Sequence, residues 1–168
     1  YWHQKGIIHR DLKLENVLFS DSEKLHIKVV DFGIAGYCRN NQGEITDFGT
    51  VKYMSPEVLS KKDLKASRAM DIWAWGVILY AMLFNWLPFT GKNKQDLIKN
   101  IIKKPLEFPK PQTNKTISFE AEDLITKMLT KDPIERITMI DCLEHDWFNL
   151  SEEEIEASAK RNYEQKSK

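Results

Sequence analysis

The apolar positions divide the chain into two unlike halves. Near the start, Val17–Leu18–Phe19 and the run Leu25–His26–Ile27–Lys28–Val29–Val30 are short and flank the polar stretch Ser20–Lys24. Leu25, Ile27 and Val29 recur at every second position, the period that puts alternate side chains on opposite faces of a strand. The pattern predicts a two-stranded hairpin. Ahead of it, Gly6 ends a helical turn over Tyr1–Lys5. After it, residues 34–54 carry Asn40–Asn41, Gly43 and Gly49 and no period, so they read as an irregular segment of the length that is more often functional than structural.

From Ser55 the pattern turns helical. Ser55–Pro56–Glu57 has the order of an N-cap, a proline at the first helical position and an early acid. Residues 68–84 are apolar nearly all round, which predicts a helix on the buried axis of the fold, ended by Asn85 and Pro88. Residues 93–103 are amphipathic and lead into a loop punctuated by Pro105, Pro109 and Pro111. Ser118 caps a helix to about Leu129, stopped by Lys131–Pro133. Thr138 with Asp141 and Ser151 with Glu154 have the spacing of capping boxes. Residues 156–168 are charged and poor in apolar side chains and read as a frayed, solvated tail without the basic amphipathic face of a calmodulin-type target. Trp73, Trp75, Trp86 and Trp147 are read as core aromatics. The fold class is therefore α+β, mainly α, with no internal repeat.

Composition narrows this little. The 168 residues suit one domain with a real core, and 42% hydrophobic with 30% charged residues is ordinary for a globular chain. Basic and acidic residues balance at 25 each, so bulk charge points to neither nucleic acid nor an anionic membrane as partner. Cys38 and Cys142 are too few for a disulfide framework and too far apart for a metal motif; they fit a reducing compartment, and an intracellular, cytoplasmic location is expected. Cys38 reads as incidental rather than redox-sensitive. No apolar stretch reaches the length of a membrane span. The opening YWHQKGI has the character of a helix end and lacks an initiator Met, so a fragment of a longer protein is expected.

The candidate chemistry gathers at the ends of the hairpin. Asp11 and Asn16 lie in the loop before it and Asp31 opens the loop after it. Pairing of the strands would bring these ends together as an oxygen-donor cluster for a hard divalent cation, with one aspartate to spare as a base; phosphoryl transfer from a nucleotide needs both.

Four motifs now stand in order: HRDLKLEN (9–16), DFG (31–33), GTVKYMSPE (49–57) and DIWAWG (71–76). Together they resemble the C-terminal lobe of a eukaryotic protein kinase, over residues 1–148, with 149–168 as a charged C-terminal extension. Lys13, two places after Asp11, resembles the serine/threonine branch; LPFTG (87–91) and LEHDWF (143–148) are most similar to the calmodulin-dependent and AMP-activated kinase group. The resemblance implies a kinase-like fold, ATP and Mg2+ as cofactors, and protein substrates. Asp11 would be the catalytic base, Lys13 would touch the transferring phosphate, and Thr50 would hydrogen-bond near both. Lys13, Glu15, Asn16 and Asp31 form the implied cofactor-binding set, with Asn16 and Asp31 as the metal ligands. His9 and Phe32 would be buried packing residues that align the two loops. Val51–Tyr53 would floor the site for the residue after the target hydroxyl.

Regulation and support follow from the same resemblance. Thr46 matches an activating threonine, phosphorylated by an upstream kinase, with Arg10 binding the phosphate. Glu57 and Arg136 would form a buried ion pair, and Asp71 would cap the backbone of the catalytic loop. Ser55 and Ala74 depart from the usual alanine and serine without consequence. Glu15 matches an acid that reads a basic residue upstream of the target, whereas a second such acid is replaced by Ala81. No Gly-rich loop, strand lysine or hinge is present, so these 168 residues alone are expected to be inactive. The alternatives are a partial kinase serving as a binding module or scaffold, against which Asp11, Lys13, Asn16 and Asp31 argue, and an unrelated helical interaction protein, which would need all four motifs to coincide.

Overall fold

The computed structural model describes residues 1–23, 26–37, 51–60, 67–110 and 116–166. Residues 38–50, with Cys38, Thr46 and Thr50 and the regulation expected at Thr46, lie outside the described residues. The fold is mainly helical with two small antiparallel strand pairs. Residues 1–6 wind through turns in which Gln4 N–H and Lys5 N–H donate back to the Tyr1 carbonyl, and Gly6 leaves them at φ +76°.

The predicted hairpin is β2 (Val17–Phe19) against β3 (Ile27–Val29), in the register Val17↔Val29, Leu18↔Lys28 and Phe19↔Ile27. Its outer positions Leu18, Phe19 and Ile27 are exposed. A second pair was not foreseen: β1 (Ile7–Ile8) lies antiparallel to β4 (Gly36–Tyr37), inside the segment expected to be irregular. Strands of this length are too short to show a period in sequence. The same segment also ends in a 3-10 turn, Val51–Tyr53, with Tyr53 buried.

Five of the helical segments were legible. Helix α1 (Pro56–Leu59) starts at Ser55, whose extended backbone sets the N-cap without a side-chain cap bond. Helix α2 (Arg68–Phe84) is the axis, burying Ile72, Trp73, Val77 and Ile78, and it stops where Asn85 takes the left-handed conformation at φ +58°. Helix α3 (Lys94–Lys103) is capped by the Asn93 side chain, α4 (Phe119–Met128) by Ser118 and α5 (Met139–Leu143) by Thr138, each accepting an N–H from the first turn. Helices α2 and α4 pack closely because Gly76 has no side chain: a Cβ there would stand 2.9 Å from Met128 and Leu129.

Three expectations need correcting. The last turn of α2 is not buried: Met82 and Leu83 are exposed, Met82 on a groove of about 490 Å3 that Trp75, Leu79, Leu124 and Trp147 also line. Trp86 is no core aromatic; it sits just past the C-cap, beyond the packing partners of α2, and is 69% exposed. The helix that Ser151 and Glu154 open, with Ser151 N–H donating to Glu154 Oε2 and Glu154 N–H to Ser151 Oγ, does not fray beyond 156. Residues Glu152–Lys166 form helix α6, docked on α4 and on the segment before it. Ser158 Oγ donates to Glu120 Oε2 at 2.6 Å and accepts from Phe119 N–H, while Asn162 Nδ2 donates to the Ile117 carbonyl at 2.9 Å. Ser158 and Asn162 are fully buried, so the docking seam is polar, and an apolar stripe was the wrong signal to seek.

Candidate functional site

The site is built where the two strand pairs meet the N-terminal half of α2. Asp71, in the first turn of α2, is buried and acts as the anchor. Its Oδ2 accepts from His9 N–H at 2.9 Å and its Oδ1 from Arg10 N–H at 3.0 Å, while His3 Nε2 lies 2.8 Å and Trp2 Nε1 3.4 Å from Oδ2. These bonds hold the start of the 9–16 loop, where Arg10 adopts φ +70°. A non-glycine residue in that region costs on the order of 1–3 kcal/mol, so it needs partners that over-determine it.

His9 ties this loop to the one after the hairpin. It is fully buried; Asp11 N–H donates to its Nδ1 at 3.3 Å, which leaves Nε2 as the donor to the Val30 carbonyl at 3.0 Å. Val30 N–H in turn donates to the Asn16 carbonyl at 2.9 Å, so Asp31 follows directly on a residue fixed to Asn16. Phe32 packs its ring on His9 at 4.5 Å and on Trp2 at 5.9 Å between centroids. Only one side of it is covered: Phe32 is 43% exposed, not buried as expected. Asp31 is exposed, at φ +64°, and its Oδ1 accepts from Gly33 N–H.

Between these loops stands a carboxylate–ammonium pair. Lys13 Nζ donates to Asp11 Oδ2 at 2.6 Å, both side chains being mostly covered. That hydrogen bond, together with the charges of Asp11, Asp31 and Glu15, holds the Lys13 ammonium above the ordinary lysine range. Asn16 is buried and spends its amide N–H on the Asp11 carbonyl at 2.8 Å, so its amide oxygen is left to accept or to ligate. An amide oxygen and the Asp31 carboxylate are hard oxygen donors of the kind Mg2+ takes alongside phosphate oxygens. Among the described residues no cluster of three or more His, Cys, Asp and Glu side chains that could hold a metal ion is present. Glu15 turns the other way, toward Lys52 Nζ at 3.5 Å and Tyr53 Oη at 3.5 Å.

Arg10 has a cradle of its own. The Nη2 atom stands 2.2 Å from where a Cβ on Gly36 would be, so the guanidinium lies in the space that a side chain at 36 would take. Its Nε is buried and has no hydrogen-bond partner among the described residues. Glycine at 36 and the β1–β4 pairing that carries it, with Ile8 opposite Gly36, had no counterpart in the sequence reading. Neither did Trp2, which covers His3, His9 and Phe32.

Behind the site, Arg136 and Glu57 form a bidentate pair, Nη1–Oε1 at 2.8 Å and Nη2–Oε2 at 2.9 Å. Arg136 also donates to the Thr130 and Ala69 carbonyls and lies 5.0 Å from the Trp73 ring. The pair fastens α1, directly after the Val51–Tyr53 turn, to the segment between α4 and α5.

This arrangement defines a class. The protein kinase domain family matches residues 1–148, and the chain belongs to that family. It is 40% identical over 149 residues to calcium-dependent protein kinase 5 of Plasmodium berghei (strain Anka), covering 88% of this chain and 26% of that protein. It is 41% identical over 149 residues to calcium/calmodulin-dependent protein kinase type II subunit delta of Oryctolagus cuniculus, covering 88% of this chain and 27% of the relative. The chain thus spans about a quarter of the length of these relatives.

Proposed function

We propose that the protein carrying this chain is a serine/threonine protein kinase that transfers the γ-phosphoryl group of ATP to hydroxyls of protein substrates. The observation that carries the reading is the Asp11–Lys13 pair at 2.6 Å, held beside Asn16 and Asp31 by a buried network through His9 and Asp71. In this reading Asp11 orients the attacking hydroxyl and accepts its proton as the oxygen–phosphorus bond forms and ADP leaves. Lys13 stands where it can meet the transferring phosphoryl oxygens as a point charge. Asn16 and Asp31 would hold Mg2+, which supplies neutralisation of the phosphate charge when bound. Thr50 would hydrogen-bond near Asp11 and Lys13.

The buried Nε of Arg10, which has no hydrogen-bond partner among the described residues and lies against Gly36, supports a regulatory anion at this point. A phosphate on Thr46, placed by an upstream kinase, has the charge and acceptors to fill it. Among the described residues no helix is long and apolar enough to cross a membrane.

The test is phosphotransfer by the protein at its natural length, with MgATP labelled at the γ-phosphate and a serine or threonine peptide library. Label on peptide that disappears with Asp11→Asn supports the reading. Binding of ATP without label on any peptide, under phosphorylation of Thr46, overturns it.

A further inference from the structure

The rim of the site carries a charge pair that the transfer chemistry does not use. Glu15 lies on the 3-10 turn Leu14–Asn16, two residues after Lys13, and Lys52 reaches it from the turn Val51–Tyr53. Lys52 Nζ is 3.5 Å from Glu15 Oε1, Tyr53 Oη donates toward Oε2 at 3.5 Å, and the Lys52 ammonium rests 5.1 Å from the Tyr53 ring centroid. Tyr53 is buried, so the phenol and the cation on its face form a fixed wall. The Glu15 side chain is 56% exposed and that of Lys52 32%. The carboxylate is therefore held from one side and open to solvent on the other.

This pair stands within the field of the acceptor loop. The charge of Glu15 reaches Lys13, whose ammonium is bonded to Asp11. Glu15 follows Asp11 by four residues on the same loop, so a segment presenting a hydroxyl to Asp11 would have neighbouring residues within reach of this rim, each advancing about 3.3 Å along an extended chain.

We propose that Lys52 is a specificity-determining residue: by neutralising Glu15 it makes the rim beside Asp11 charge-balanced, so that substrates are taken without a basic residue flanking the acceptor. The proposal rests on the kinase reading of the site. The reason is exchange. An arginine or lysine of the substrate gains Glu15 only by displacing Lys52, which trades one exposed ion pair for another of similar strength and leaves little net preference. An acidic flanking residue meets the mirror problem, since Lys52 is already taken. Removing either partner exposes the other and should create a preference of the corresponding sign.

The experiment uses the protein at its natural length and matched serine peptides that carry Arg, Ala or Asp at positions flanking the acceptor. Rates are compared as ratios within each protein, so a general loss of turnover does not move them. The wild type should show Arg/Ala and Asp/Ala ratios within about twofold of one another. Lys52→Ala should raise the Arg/Ala ratio about fivefold, Glu15→Ala should raise the Asp/Ala ratio, and the double substitution should restore balance. Labelling with an Arg/Ala ratio unchanged in Lys52→Ala, or a wild type that already favours Arg by tenfold, overturns the proposal while leaving the kinase reading intact. No labelling of any peptide by the wild type removes the kinase reading and this proposal with it.

Discussion

Arg10 lies over Gly36 so closely that its Nη2 would be 2.2 Å from a Cβ at that position. The contact is to the far end of a flexible side chain, so a methyl group there displaces the guanidinium rather than the backbone. Gly36→Ala should therefore cost little stability, within about 0.5 kcal/mol, yet move Arg10 out of its cradle. If Arg10 receives a phosphate on Thr46, the gain in activity on phosphorylation should shrink markedly in Gly36→Ala. Measuring turnover before and after treatment with an upstream kinase, for both proteins, gives the comparison. An undiminished gain would remove Arg10 from that role.

Asp71 is the support of the acceptor loop. Its carboxylate accepts from two consecutive backbone N–H groups, of His9 and Arg10, and also faces His3. Asp71→Asn keeps the shape but turns one acceptor into a donor pointed at donors. Leaving a buried N–H unpaired costs about 1–3 kcal/mol, and the strained Arg10 backbone adds to the loss. Urea unfolding should show a drop of about 2–4 kcal/mol. A change below about 0.5 kcal/mol would mean that the loop is held by something else.

Arg136 should tolerate no substitution, lysine included. Its guanidinium meets Glu57 through two parallel bonds and three backbone carbonyls besides, a fork that an ammonium cannot reproduce. Arg136→Lys or Glu57→Gln should each lower stability by about 3–5 kcal/mol, because each strands buried charge or donors. A double-mutant cycle in chemical denaturation should then return a large coupling, with the double variant far less damaged than the sum of the singles.

Lys131 gives a pH signature. Burial, with Arg136 adding, pushes its ammonium down to about 8, while its Nζ donates to the Ile101 carbonyl and stands 3.7 Å from the Phe89 ring centroid. The unfolded value is 10.5. Below both values the group is protonated folded and unfolded alike, and burial counts against folding. Between about 8 and 10.5 the folded chain gives up its proton first, so the unfolded state binds more protons and this group's contribution to stability rises with pH. Cys142 works in the opposite sense: burial lifts its thiol from 9.0 to about 11, so its contribution falls as the unfolded thiol ionises. Comparing wild type with Lys131→Met at several pH values isolates the lysine. The stability difference should shift in favour of the wild type as pH rises from 8 toward 10.5; a difference that stays flat would place Lys131 in solvent.

Much of the helical half was legible because its signals are local. The apolar run 68–84 matches α2 at both ends, and Ser118 and Thr138 cap the helices they announce. The hairpin that carries the site also showed itself, through alternation at Ile27 and Val29. What misled was the use of hydrophobicity as a proxy for burial. Trp86 and Phe32 are large and apolar yet exposed, whereas Ser158 and Asn162 are polar and fully buried, the Ser158 hydroxyl and the Asn162 amide N–H each finding a hydrogen-bond partner inside the seam.

The amino-acid sequence by itself determined the helices, the hairpin and the residue types at its ends, since a period of 2 or 3.6 and a cap are written in neighbouring side chains. It also placed Asp11, Lys13, Asn16 and Asp31 in an order that identifies the family. The family resemblance also pointed to Asp71 under the 9–16 loop, but only the tertiary structure decided the other distant partners: Gly36 beneath the Arg10 guanidinium and Lys52 against Glu15. Those partners are tens of residues away from the loops they serve. Their meeting depends on how α2, the two strand pairs and the Val51–Tyr53 turn pack, and no window of consecutive residues records that packing.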